Sequence, residues 1–441
     1  MRFVSTEGRT PSVTLSEALL EGPAPDGGLY VPERLDALAD AAVSALRGHP
    51  FTAIALSLGR RLFGAEVSVE ELAPLLEAAL DFPVPLVEIE PGVYCLELFH
   101  GPTLAFKDIA ARVMARLLSR FVSAGRPTTT VLVATSGDTG SAVAHAFSGL
   151  PGFRVCVLYP RGLVTEAQRR LFTTLGGNVT AVAVDGTFDD CQRLARRAFA
   201  DPDLRRRRPL ASANSINIGR LLPQVFYYFH AWAQLPDAVA GARRADLVVS
   251  TPSGNFGNLT AGLLAKRLGL PVSRFVAATN VNDVVPRYLR TGRLRPRTST
   301  ATISNAMDVG DPSNFARILH LYSGGDDPLA ALRRDVAGHA FDDAATRAAM
   351  RDVYERRGYL LDAHTAVGYL GLKAELEARG GTGIVLATAH PAKFVDVVRD
   401  AVGIDPSAPP ALTRSAALPE RIVTIPDEYG ALRDLLDGMR Q

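Results

Sequence analysis

The sequence predicts an α/β protein made of two open, mostly parallel αβα units with a ligand cleft between them, preceded by a mainly helical N-terminal segment. Apolar, β-branched runs such as "TTTVLVATS", "FRVCVLYP" and "GIVLATAHP" alternate with helical patterns. That alternation is the signature of parallel βαβ units covered on both faces. Three of the runs end in small, polar, glycine-rich loops, and loops at the carboxyl ends of parallel strands line ligand clefts.

Residues 1–92 form the N-terminal segment, with "PAPDGGLYVPE" as a Pro-Gly loop and "DFPVPLVEIEPG" as a Pro-rich connector that marks its end. Residues 93–230 form the smaller unit. Its strands are "TTTVLVATS", "FRVCVLYP" and "TAVAVDG", with helices from "TGSAVAHAFSG", Thr165 and Phe188 between and after them. A long apolar helix, "NIGRLLPQVFYYFHAWAQL", leads into the larger unit, residues 231–441. That unit opens with "ADLVVSTPSGNFGN", continues with a helix from near Leu259 and strand "RFVAATN", and closes with "GIVLATAHP" and helix "FVDVVRDAVG".

Over 441 residues, 47% hydrophobic and 21% charged content with a net charge of +2 describe an ordinary globular protein. Near-balanced charge suggests neither a nucleic-acid nor an anionic-membrane partner. The run Arg205 to Arg208 reads as a solvated helix end. Cys95, Cys156 and Cys191 are too few and scattered for a disulfide framework or a Cys-based zinc site, so no metal is implied and a reducing cytoplasm is expected. No signal-peptide pattern or membrane-length apolar run is present.

Positive charge is written almost wholly as arginine, and the only lysines are Lys107, Lys266, Lys373 and Lys393. Lysine, unlike arginine, can lose its proton when desolvated and attack a carbonyl. Lys266 and Lys373 sit among charged neighbours on amphipathic helices. Lys107 follows the Gly-Pro turn of "HGPTLAF" and begins a helix. It is either a surface lysine at a helix start or an amine held against apolar walls that depress its pKa.

In "SGNFGN", Gly254 and Gly257 let backbone N–H groups turn toward an anion, and the following helix adds its positive end. A plain strand-to-helix turn has the same appearance. Neither a Walker A loop nor G-x-G-x-x-G spacing is present. In "TSGDTG", Thr135, Ser136, Gly137 and Thr139 offer donors that suit a carboxylate, and Asp138 suits a helix N-cap. Thr388 ends an apolar strand with a hydroxyl; His390 beyond it, like His100, is an acid or base candidate that also fits a structural role.

"HGPTLAFKD", "TSGDTG", "SANSINIGR", "SGNFGN" and "ATAHPAKF", in that order, resemble the longer bacterial and fungal branch of the threonine synthase family, as does the N-terminal "TPSVTLSEALLEGPAPDGGLYVPE". The resemblance implies a fold type II pyridoxal-phosphate enzyme of the tryptophan-synthase-β type, with the cofactor in the cleft. The implied reaction converts O-phospho-L-homoserine and water to L-threonine and phosphate. It makes Lys107 the Schiff-base lysine, gives Gly254, Asn255, Phe256, Gly257 and Asn258 to the cofactor phosphate, and gives Thr388 to the pyridine nitrogen.

By the same resemblance Thr135, Ser136, Gly137 and Thr139 receive the substrate carboxylate, and Asn214 and Arg220 meet its phosphate. Many fold type II enzymes carry asparagine where this chain has Asp138, and an ionised carboxylate cannot donate to the cofactor 3′-oxygen. A monomer or small homo-oligomer is expected. The alternatives are another fold type II reaction, such as a serine/threonine dehydratase, or a non-catalytic phosphate- or nucleotide-binding module.

Overall fold

A computed structural model describes residues 1–122, 127–237 and 247–439. Its strands begin with an antiparallel pair, β1 (Phe3–Ser5) and β2 (Tyr30–Pro32), followed by the hairpin β3 (Leu86–Glu90) and β4 (Val93–Glu97). Next come β5 (Thr129–Ala134), β6 (Phe153–Pro160), β7 (Val179–Asp185) and β8 (Leu210–Ser212). The chain continues with β9 (Leu247–Pro252), β10 (Arg274–Thr279), β11 (Val336–Ala340), β12 (Thr382–Ala387) and β13 (Ile422–Pro426).

Apart from the β1-β2 pair, these strands form two sheets, with orders β11-β10-β9-β12-β4-β3 and β13-β7-β6-β5-β8. All neighbours are parallel except β3 on β4. Each central strand is apolar on both faces because both faces are covered. Val131 and Val133 of β5 join one core cluster, while Leu132 and Ala134 join another on the opposite side.

The covering helices follow from local pattern. Helix Lys107–Phe121 buries Ile109, Val113, Met114 and Leu117, and sets Arg112, Arg116 and Arg120 along a more exposed stripe. Thr165 caps helix Glu166–Thr173 by accepting from the Gln168 N–H, and Thr187 with Asp190 closes a capping box on helix Phe188–Ala200. The N-terminal helices pack into the same cluster as helix Lys107–Phe121.

Several expectations are corrected. The sheets do not divide at residues 92 and 230. β3 comes from the connector expected to be a loop, and with β4 it completes the six-stranded sheet, while β13 returns from the C-terminus to the edge of the other. β3 is a strand through its hairpin with β4 and β13 through pairing with the distant β7, and β13, apart from Ile425, is exposed. The long apolar helix is broken into single turns at Ile218–Arg220 and Leu222–Gln224 before helix Val225–Gln234. Asn217 caps the first turn and Pro223 lacks the N–H that a continuous helix would need there.

The arginine run lies at the end of helix Pro202–Arg207, where Arg207 pairs with Asp437 at 2.8 Å. No helix among the described residues is long and apolar enough to cross a membrane.

Candidate active site

Lys107 hangs from the end of β12. The Phe106 N–H donates to Thr388 O at 2.9 Å and the His390 N–H to Leu104 O at 3.1 Å, making an antiparallel bridge between Ala105 and Ala389. Buried Asp108 accepts from the N–H and hydroxyl of Thr103 at 2.8 and 2.6 Å, which folds the preceding turn back onto the helix. Thr388 is thereby brought beside Lys107, and no hydrogen bond among the described residues engages its hydroxyl.

The Lys107 amine lies 3.9 Å from Asp138 Oδ2, with 16% of the side chain exposed. The other oxygen, Asp138 Oδ1, accepts from Lys393 Nζ at 2.5 Å and from Gln168 Nε2 at 2.8 Å. Lys393 is fully buried and also donates to Thr103 O at 2.9 Å. One carboxylate therefore serves two lysines, one inside the wall and one facing the cleft. Burial pushes the Lys107 amine down to about 8; Asp138 opposes that shift, and Lys393 and Arg220 add to it. Asp138 is held below the usual carboxylate range by the two lysines and Gln168, against its burial.

Of the roles open to Asp138, the N-cap is not the one it takes. Gly137 takes that position with φ 136°, where a Cβ would strike the Gln168 amide at 2.6 Å, and Asp138 is the first helical residue. Thr135 Oγ1 accepts the N–H groups of Gly137 and Gly140 at 2.9 and 2.8 Å, so it shapes the loop. Ser136 and Thr139 are half-buried and make no side-chain hydrogen bond among the described residues.

The glycine loop starts helix Gly257–Arg267 two residues earlier than expected. Gly254 is required by close approach: a Cβ would lie 2.8 Å from Met307 Cα and 2.9 Å from Ala306 O. At Gly257 a Cβ would meet Asn314 Nδ2 at 3.6 Å and Ser215 Cβ at 3.8 Å, ordinary van der Waals contacts that leave room for a methyl-sized group at the helix start. Asn258 is spent on the loop itself, accepting from Ser253 Oγ at 2.6 Å and donating to Pro252 O at 2.9 Å. Asn255 ties the loop to Ser215 and Ser313.

Phe256 and Leu104 are the non-glycine residues with positive φ among the described residues, at 59° and 57°. One lies in the glycine loop and the other in the lysine turn. Such backbone costs of order 1–3 kcal/mol each and persists where packing over-determines it, commonly at functional sites.

Arg220 is buried and donates from Nη1 to Ala213 O at 2.6 Å, while its Nε and the Oδ1 of nearby half-buried Asn214 have no partner. A buried guanidinium with an unused donor is poised for an anion. The helix start at Gly257 without a side-chain cap, the unused Arg220 donor and a desolvated lysine amine fit a phosphate-bearing carbonyl cofactor beside a second anion.

Comparison with known proteins agrees with this geometry. Residues 79–390 match the model of pyridoxal-phosphate dependent enzymes, residues 2–80 that of the threonine synthase N terminus, and residues 365–436 that of the threonine synthase C-terminal region. A threonine synthase from Serratia marcescens is 44% identical over 440 residues, covering 100% of both chains. The chain belongs to the threonine synthase family. The crystal structure of threonine synthase from Escherichia coli superposes with a TM-score of 0.92 at 44% identity, covering 100% of both chains. The PLP-bound threonine synthase from Brucella melitensis gives 0.92 at 35% identity, covering 99% of this chain and 98% of that one.

Within the family frame, the structure adds residues that local pattern did not single out. Lys393 was visible only as one of four lysines, and its loop "ATAHPAKF" as a strand end. Gln168, Asn314 and Arg317 belong to ordinary helix starts and carry no local signal. His390 accepts from the Ala392 N–H at 3.1 Å and His100 pairs with Glu97 at 2.7 Å, so both act within their own turns.

Proposed function

We propose that this cleft converts O-phospho-L-homoserine and water to L-threonine and phosphate, as a carbon–oxygen lyase with pyridoxal phosphate bound through Lys107. The observation that carries the reading is the buried Arg220, whose Nε–H has no partner and is free to donate to an anion apart from the glycine loop. Two phosphate sites suit a phosphorylated cofactor and a phosphorylated substrate.

Bound pyridoxal phosphate supplies an electron sink for charge developing beside the substrate amine. The open helix start at Gly257, with Gly254, Asn255, Phe256 and Asn258 shaping its approach, holds the cofactor phosphate. Thr388 offers a neutral hydroxyl to the pyridine nitrogen. Ser136, Thr139 and the N–H groups of the Thr135–Gly137 loop receive the substrate carboxylate, and Arg220 with Asn214 receives its phosphate.

Once released by the incoming amine, Lys107 is the base for the α-proton. An amine near pKa 8 is partly unprotonated at neutral pH, and the arriving carboxylate and phosphate raise its affinity for a proton. Asp138 Oδ2 stabilises the ammonium that forms, while Lys393 keeps Asp138 an anion. Asp138 therefore steadies charge and does not donate to the cofactor 3′-oxygen.

The free, buried Cys95, Cys156 and Cys191 support a cytoplasmic location. The test is product analysis on purified protein with pyridoxal phosphate. Inorganic phosphate and threonine from O-phosphohomoserine are expected, with borohydride fixing the cofactor to Lys107. Ammonia and a 2-oxo acid from serine or threonine as the main products would favour a dehydratase, and a label on Lys393 would overturn the site.

A further inference from the structure

Asn314 lies outside the glycine loop, just before helix Phe315–Leu321, and is completely buried. Its Oδ1 accepts from Arg317 Nη1 at 2.5 Å. Arginine has only donors, so the amide oxygen must face Arg317 and the amide nitrogen must point the other way. That nitrogen has no hydrogen-bond partner. It lies 3.6 Å from where a Cβ on Gly257 would stand, a position that Ser215 Cβ approaches to 3.8 Å.

At the start of helix Gly257–Arg267 the Leu259 N–H donates to Asn258 Oδ1 at 2.9 Å, while the N–H groups of Gly257 and Asn258 precede the first intrahelical bond and receive no side-chain cap. A buried amide donor left unmade is costly, and here it adjoins a helix start that attracts an anion. Arg317 is itself immobilised. Its Nε donates to Tyr30 O at 2.8 Å, Nη1 to Ser215 O at 3.0 Å, and Nη2 to Ile216 O at 2.6 Å. Ser313 is tied to Asn255 Oδ1 through N–H and hydroxyl at 2.8 and 2.9 Å, which sets Asn314 in register with the glycine loop.

We propose that Asn314 is a cofactor-phosphate ligand, donating from Nδ2 to an oxygen of the phosphate seated on the Gly254–Asn258 loop, and that Arg317 is the positioning residue that turns the amide toward it. The proposal rests on the pyridoxal-phosphate reading. It links the cofactor site to the N-terminal segment, since the Tyr30 carbonyl helps to hold Arg317.

The experiment compares equilibrium binding of pyridoxal phosphate and of pyridoxal, which lacks the phosphate, to the full chain stripped of cofactor. Asn314→Ala should weaken pyridoxal phosphate by about 10- to 100-fold, the range of a hydrogen bond to a charged group. Pyridoxal affinity should stay within about twofold, and the 31P resonance of bound cofactor should shift. Asn314→Asp keeps the acceptor for Arg317 but sets a negative charge against the phosphate. It should weaken pyridoxal phosphate more than Asn314→Ala, and it carries the test should the alanine variant not fold.

Equal loss of both ligands, or unchanged binding of both, would overturn the proposal. Failure of the unmodified chain to bind either ligand at Lys107 would instead overturn the cofactor reading.

Discussion

The two sides of the cleft bind charge in opposite ways. On the lysine side, Asp138 is already paired with Lys393 and faces Lys107, so full charges from the two sheets' loops are joined before any ligand arrives. On the glycine-loop side, neutral groups surround an open helix start: backbone N–H groups, Asn255 tied to Ser215, and an unpaired Asn314 amide. The difference matches two tasks. A reacting amine needs its proton affinity set by fixed charges, whereas a phosphate needs donors that cost nothing to reorganise.

Lys107→Ala should have the largest effect, reducing turnover to background and removing the borohydride-fixed cofactor, as read by phosphate release and peptide mapping. Lys393→Met tests whether the wall charge is structural as well as electrostatic. Breaking a buried pair leaves Asp138 short of a partner and should cost about 3–5 kcal/mol in denaturant unfolding. Adding Asp138→Asn should recover part of that stability. A double variant no more stable than Lys393→Met would show that the pair does not act as a unit.

On the neutral side, Gly254→Ala drives a methyl into the Met307 backbone and should cost about 1–3 kcal/mol, whereas Gly257→Ala has room. The latter should leave stability almost unchanged and weaken pyridoxal-phosphate binding.

The pH dependence separates the two sides further. Capture of pyridoxal phosphate by the stripped enzyme needs the unprotonated amine, so its rate should rise with pH through about 8 and then level off. Asp138 favours the protonated amine, so Asp138→Asn should move the midpoint down. Lys393 disfavours it, so Lys393→Met should move the midpoint up. The smallest effect belongs to Lys266→Ala. That residue pairs with Asp335 at 2.8 Å away from the site, and its loss should cost about 1 kcal/mol or less with activity intact.

Much of this site was legible before folding. Lys107 stood out because lysine is scarce here and "HGPTLAF" sets it on a constrained turn, and the glycine loop stood out because strand, Gly-Asn turn and helix follow one another locally. The expected strands at β5, β6, β7, β9, β10 and β12 are present for the same reason: central parallel strands are apolar throughout. β1, β2, β3, β4, β8, β11 and β13 carry no such signal, because short or edge strands owe their conformation to a neighbour. The side chains of Thr135 and Asn258 bond within their own loops, a use that the loop sequences do not reveal.

The sequence alone determined the α/β class and singled out Lys107 and the two glycine-containing loops as candidates, because periodicity, glycine turns and residue scarcity are local properties. Tertiary structure decided that Lys393 neutralises Asp138, that Arg317 orients Asn314, and that the first and last strands of the two sheets come from opposite ends of the chain. Those outcomes depend on which buried groups meet across the cleft. Burial makes each unpaired charge or donor costly enough to select its partner, and no local pattern records that choice.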